Sequence, residues 1–174
     1  MTHPPAGQKY SLWFMPQGEV CNRLTQILHR LSIRYEAPEF PPHVTLLGSC
    51  VGERDEMIRR SSLVAAALRP FTIRLGKIDF RDKYFRCLFV HAALTQPLRN
   101  AHQTACHQFG RQNEAAFMPH LSLLYANLPA HTKERLIAEL GPRLDVQFKV
   151  RNLHLFHTHG AVKEWRLVES FGFK

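Results

Sequence analysis

One six-residue word occurs twice in this chain, as Pro42-His43-Val44-Thr45-Leu46-Leu47 and as Pro119-His120-Leu121-Ser122-Leu123-Leu124. Both read proline, histidine, apolar, hydroxyl, leucine, leucine, with one copy in each half of the sequence. Each closes a proline-containing loop and opens an apolar strand. Side chains alternate faces along a strand, so His43 shares a face with Thr45, and His120 with Ser122. Val44, Leu46, Leu121 and Leu123 then point into the apolar layer behind. Two copies of one module imply two related lobes. If these face one another about a pseudo-twofold axis, two imidazoles and two hydroxyls meet in one cleft.

The rest of the pattern is that of an α+β protein. Tyr10 to Met15 reads as a first strand ending at Pro16, after a short Pro-rich lead. Leu24, Ile27, Leu28 and Leu31 lie at i, i+3, i+4 and i+7, which predicts a helix over Val20 to Tyr35. His43 to Leu47 is a strand, and Glu53 to Leu68 a helix closed by Pro70. Phe71 to Leu75, Lys77 to Phe80 and Phe85 to Ala92 read as successive strands. A helix opened by Thr95 and Pro97 carries Leu98, Ala101 and Ala105, and a polar loop leads from it to Met118. His120 to Leu124 is a strand, His131 to Leu140 a helix stopped by Gly141 and Pro142, and Val146 to Phe156 and Trp165 to Phe171 the last strands. Antiparallel sheets with helices on their outer faces are expected, in one domain spanning residues 1–174.

Two imidazoles and two hydroxyls suit the opening of a cyclic phosphate. That reaction needs a water deprotonated on one side of the phosphorus, a ribose oxygen protonated on the other, and donors for the phosphoryl oxygens. Histidine titrates near pH 6.5, so one ring can be neutral while its partner is protonated, and no metal or cofactor is required. A lone His-x-Thr is commonly an ordinary strand start; its repetition in six positions favours a joint role for His43 and His120.

These residues resemble the two-histidine phosphoesterase superfamily, whose signature is a tandem His-apolar-Thr/Ser-apolar motif in two pseudo-symmetric lobes. The sequence is similar in particular to the plant and yeast cyclic phosphodiesterases, through Tyr10-Ser11-Leu12-Trp13, Phe85-Arg86-Cys87-Leu88-Phe89 and Met118 to Tyr125 as well as the motif pair. The resemblance implies a bilobal fold with two antiparallel sheets lining a central cleft. It also implies hydrolysis of ADP-ribose 1'',2''-cyclic phosphate to ADP-ribose 1''-phosphate and of nucleoside 2',3'-cyclic phosphates to 2'-phosphates, without a cofactor. By the same resemblance His43 and His120 are acid and base, Thr45 and Ser122 bind phosphate, and Trp13, Phe85 and Tyr125 line the substrate cleft. Strand alternation alone places Tyr125 opposite to His120.

The formal charge of +9 draws anions to the surface and is compatible with RNA ends as partners beside a small cyclic phosphate. The resemblance to the superfamily, other members of which act on RNA ends, makes an RNA-end enzyme the first alternative reading; a non-enzymatic RNA-binding module and a metal-dependent hydrolase are the others. Arg59 with Arg60, and Arg81 with Lys83, could border a phosphate cleft or be solvated faces. His154, His157 and His159 lack carboxylate or cysteine companions at ligand spacing, so a surface strand is expected there and no metal. His102 and His107 are expected to face solvent. Cys21, Cys50, Cys87 and Cys106 show no CxxC pairing and read as reduced thiols. With no signal-peptide pattern at the N-terminus and no apolar run long enough to span a bilayer, a cytoplasmic monomer without membrane association is expected.

Overall fold

The computed structural model describes residues 7–112 and 116–174. The Pro-rich lead and part of the polar loop before Met118 lie outside them. Four α-helices lie among the described residues, and the two whose apolar spacing is legible in the sequence bury the faces it predicts. In α1 (Gly18–Arg34) these are Leu24, Ile27, Leu28 and Leu31, each contributing about 1.5–3 kcal/mol by removal from water. α2 spans Arg54–Ala66. In α3 (Gln96–Gln108), where Pro97 sits in the first turn, Leu98, Ala101 and Ala105 are buried. α4 (Ala130–Leu140) ends at Gly141, whose φ of +91° a side chain would strain.

Eight strands form one curled antiparallel sheet: β1 (Gln8–Phe14), β2 (Val44–Gly52), β3 (Phe71–Asp79), β4 (Leu88–Ala92), β5 (His120–Leu124), β6 (Gln147–Val150), β7 (Asn152–His157) and β8 (Arg166–Gly172). Their spatial order is β6-β3-β4-β5-β2-β1-β7-β8. The order divides at its middle. β1-α1-β2 on one side and β4-α3-β5 on the other are both a strand, a helix and an antiparallel returning strand, and each second strand carries one copy of the motif. The two expected sheets are thus continuous, joined where β2 pairs with β5.

The helices cover one face: α1 packs on β5, α2 on β7 and β8, and α3 on β2 and β3. Leu12, Phe14, Val44, Leu46, Leu88, Val90, Leu121 and Leu123 point into that layer and are almost fully buried. Residues between them in sequence, such as Trp13, Phe89 and Ser122, fall on the opposite, concave face.

Several segments differ from the expectation, and β2, expected to end at Leu47, runs on to Gly52 against β1. Phe71–Leu75 and Lys77–Phe80 form the single strand β3, whose register shifts between Leu75 and Ile78. Phe85 sits in a 3-10 turn, Tyr84–Arg86, ahead of β4. Val146–Phe156 breaks at Arg151 into β6, on β3, and β7, on β1. An alternating pattern reports burial on one face but not a change of partner, so a strand that leaves one edge for another reads as continuous.

Candidate active site

At the seam of the sheet Val44 stands opposite Leu121. Continuing that antiparallel ladder by one residue each way sets His43 opposite Ser122 and Thr45 opposite His120. Side chains directly opposite share a face, so all four project from the concave side while Val44 and Leu121, both fully buried, project from the other. The two imidazoles occupy one diagonal of this rectangle and the two hydroxyls the other. Diagonal positions across an antiparallel pair are about 7–8 Å apart along the backbone, which brings the two rings into one cleft.

The rings are held alike. His43 Nδ1 lies 2.7 Å from the Pro41 carbonyl and His120 Nδ1 2.9 Å from the Met118 carbonyl, in each case two residues upstream. A carbonyl oxygen only accepts, so Nδ1 carries the proton in both rings and Nε2 is left for chemistry. The prolines of the motif set these anchors: Pro42 and Pro119 hold the preceding residue, Pro41 or Met118, in extended backbone, which fixes where its carbonyl points.

The two environments differ. His43 is 5% exposed and stacks on Trp13, with ring centroids 3.6 Å apart. Burial pulls its pKa down to about 4, although the hydrogen bond to Pro41 opposes this. His120 is more open; burial lowers its pKa too, against its bond to Met118 and with the positive charge of Arg86 adding to the fall. Thr45 is half-buried, while Ser122 donates to the Phe85 carbonyl at 3.2 Å.

A cavity of about 690 Å³ opens over the rectangle, lined by His43, Thr45, His120 and Ser122 and also by Trp13, Phe85 and Tyr125. Trp13 is sandwiched between His43 and Phe156, the latter at 3.9 Å. Tyr125 reaches the cavity because β5 ends at Leu124, so alternation no longer governs it; it stacks on Phe40 at 3.8 Å. Phe85, 52% exposed, sits at the rim with its edge on Tyr125.

The cations of the cavity are Lys9 and Arg86, which sequence reasoning missed. Arg59 and Arg60 instead pair with Glu56 on α2, and Arg81 pairs with Asp79; neither pair, nor Lys83, lines the cavity. Ser11 and Trp165 also line it. Ser11, two residues before Trp13 on one strand, was within reach of the period-two argument. Trp165 arrives from the far end of the chain and left no local signal.

The C-terminal histidines depart from a plain surface strand. His154 bonds to Ser170 at 2.7 Å, His157 is buried with its ring edge-on to Tyr10, and His159 lines the cavity. Among the described residues no three His, Cys, Asp or Glu side chains are placed to hold a metal ion. His107 is exposed as expected, whereas His102 lies flat on Phe117 at 3.9 Å. No helix among the described residues is long and apolar enough to cross a membrane.

Comparison with known proteins agrees with this architecture. Residues 16–161 match the model of the 2'-5' RNA ligase superfamily. The chain is 28% identical over 125 residues to a cyclic phosphodiesterase of Arabidopsis thaliana, covering 72% of this chain and 69% of that protein. Among solved structures, TT0787 of Thermus thermophilus aligns with a TM-score of 0.68 at 16% identity, over 95% of this chain and 97% of that one. LigT of E. coli, in its apo form, aligns with a TM-score of 0.70 at 14% identity, over 96% and 98%. With a family match across most of its length and the paired motif at the seam of its sheet, the chain belongs to the 2'-5' RNA ligase superfamily of two-histidine phosphoesterases.

Proposed function

We propose that this protein hydrolyses cyclic phosphates on ribose, taking nucleoside 2',3'-cyclic phosphates to 2'-phosphates and ADP-ribose 1'',2''-cyclic phosphate to ADP-ribose 1''-phosphate. The observation that carries the reading is the matched anchoring of two rings across one strand pair, with Nδ1 of each bonded to a backbone carbonyl and Nε2 of each left for chemistry in one shared cavity. The cyclic phosphodiesterase of Arabidopsis supports the substrate class.

Proton transfers alone complete the reaction. Water attacks phosphorus in line with the ribose oxygen that leaves; its proton goes to Nε2 of one histidine as the new P–O bond forms. The old P–O bond breaks, and the leaving oxygen takes a proton from Nε2 of the other. We assign the base to His43, because burial keeps that ring neutral, and the acid to His120, the more open ring, where an anionic substrate favours the imidazolium. Thr45 and Ser122 donate to the phosphoryl oxygens as negative charge grows, Ser122 by turning from the Phe85 carbonyl. Trp13, Phe85 and Tyr125 give the nucleoside apolar walls.

Product analysis by phosphorus NMR, with a 2',3'-cyclic nucleotide and ADP-ribose 1'',2''-cyclic phosphate side by side, tests this. The expected products are a 2'-phosphate and a 1''-phosphate; an absence of turnover on both substrates overturns the proposal. A second reading, action on RNA ends, draws support from the superfamily's description and from the open, cation-bearing cleft. Competition between an oligonucleotide ending in a cyclic phosphate and the mononucleotide ranks the two.

A further inference from the structure

His91 on β4 stands directly opposite His120 on β5 and shares its face. His120 belongs to the central cavity, but His91 lines a second one of about 620 Å³, formed where β3, β4 and the segment before β6 meet. The two hollows thus adjoin across a pair of neighbouring rings. Arg74, Lys77 and Arg143 border the second hollow, with Asp145 the acidic residue of its lining. Arg74 alternates with the buried Ile73 and Leu75, and the register shift between Leu75 and Ile78 turns Lys77 to the same side, so both project from the concave side of the sheet, where the motif residues lie. Both are exposed, and neither has an ion-pair partner among the described residues.

The third cation is placed by the backbone. Gly76 leaves room on β3 for the Arg143 guanidinium: a Cβ there would come within 3.1 Å of its Nη2. Arg143 is held in turn by Asp145 at 2.8 Å, and its segment is tied to β3 where the Leu144 amide donates to the Gly76 carbonyl. The lining holds one carboxylate against three cations, and the Asp79 carboxylate just outside it meets His91 Nε2 at 3.0 Å and also pairs with Arg81; with Arg143 paired to Asp145, Arg74 and Lys77 supply the uncompensated positive charge beside the reacting centre. Strands are about 4.8 Å apart, so β3 lies about 10 Å from β5, within reach of long basic side chains from a ligand that extends one sugar unit beyond the motif.

We propose that the hollow formed by Arg74, Lys77, His91 and Arg143 is a second phosphate subsite, which binds the 5'-phosphoryl group of the same ribose whose cyclic phosphate sits between His43 and His120. The inference rests on the reading under Proposed function for what occupies the central cavity. It names the substrate class more narrowly, as a ribose phosphorylated at its 5' carbon. The 5'-linked end of an RNA and the diphosphate arm of ADP-ribose both supply that group. Arg and Lys meet it as charge-assisted donors.

Binding measurements test the subsite without requiring turnover. Calorimetry on the full chain compares adenosine 2'-monophosphate with adenosine 2',5'-bisphosphate, which differ only in the 5'-phosphate. The bisphosphate should bind about 10-fold more tightly to the wild type, and the Arg74→Ala/Lys77→Ala variant should lose that gain. An Arg23→Ala/Arg30→Ala variant, with two cations removed from α1, should keep it. Equal affinity of the wild type for both ligands overturns the proposal, as does a gain that survives in Arg74→Ala/Lys77→Ala or vanishes equally in Arg23→Ala/Arg30→Ala. A dinucleotide with a 2'-phosphate end and ADP-ribose 1''-phosphate, titrated next, separate the two sources of the 5' group. A protein that binds the bisphosphate as expected yet turns over no cyclic phosphate would sink the proposed activity and leave the subsite standing.

Discussion

Trp13 and His43 lie face to face, their planes 11° from parallel, with Phe156 stacked on the far side of the indole. The indole shields one face of the imidazole from water, and burial is the main cause of that ring's low pKa. Replacement by a smaller apolar residue therefore acts on both packing and titration. Trp13→Leu should cost about 2–4 kcal/mol of stability, read by denaturant unfolding, and raise the His43 pKa toward its ordinary value, read by proton NMR. An unchanged titration in a folded Trp13→Leu protein would refute shielding as the cause.

Removing either ring should cost at least ~10²-fold in turnover of a 2',3'-cyclic nucleotide. His43→Ala and His120→Ala should both retain a cooperative thermal transition, because the apolar layer beneath them is untouched. The check is steady-state kinetics beside calorimetry, with chelator added to the wild type in a parallel assay. Chelator should leave the rate unaltered; its abolition would point to a metal enzyme.

The hydroxyls should separate by what else they hold. Thr45→Val removes a donor at nearly constant shape, and a loss of roughly 10²-fold in kcat is expected with little change in melting temperature. Ser122→Ala also strands the Phe85 carbonyl, so a comparable loss in rate should come with about 1 kcal/mol of destabilisation. Equal thermal stability of the two variants would contradict the observed bond.

Stability should fall with acid through a window to which His43 contributes beside His120, His154 and His157, whose pKa values burial also lowers. The folded pKa of His43, about 4, lies below the unfolded value of about 6.5, so between these limits the unfolded chain binds more protons. The contribution, on the order of 3 kcal/mol, is present above pH 6.5 and drains away as pH drops toward 4. His43→Phe, which keeps a ring beside Trp13, should flatten that part of the profile of melting temperature against pH. A profile of the same slope in both proteins would show that other groups govern it.

The phosphate subsite supplies one more expected outcome in turnover. On a dinucleotide ending in a 2',3'-cyclic phosphate, Arg74→Ala/Lys77→Ala should raise KM about 10-fold with kcat nearly constant, since uniform binding is what those cations offer. A fall in kcat at constant KM would place them in the reacting centre instead.

The repeated motif was decisive at the level of sequence because its information is local. Strand alternation ties His43 to Thr45 and His120 to Ser122 whatever the rest of the chain does, and helical spacing likewise marked the buried face of α1. Other features depend on which strands become neighbours. That His43 faces Ser122, that Trp13 covers His43, and that Trp165 and His159 join the cavity all follow from pairings between segments distant in sequence, which a local period cannot encode. The placement of Tyr125 followed from where a strand stops, and the split of β6 from β7 from a change of partner at Arg151. Even the difference between the two histidines belongs to the fold, since near-identical words come to be buried unequally only through the surroundings they meet.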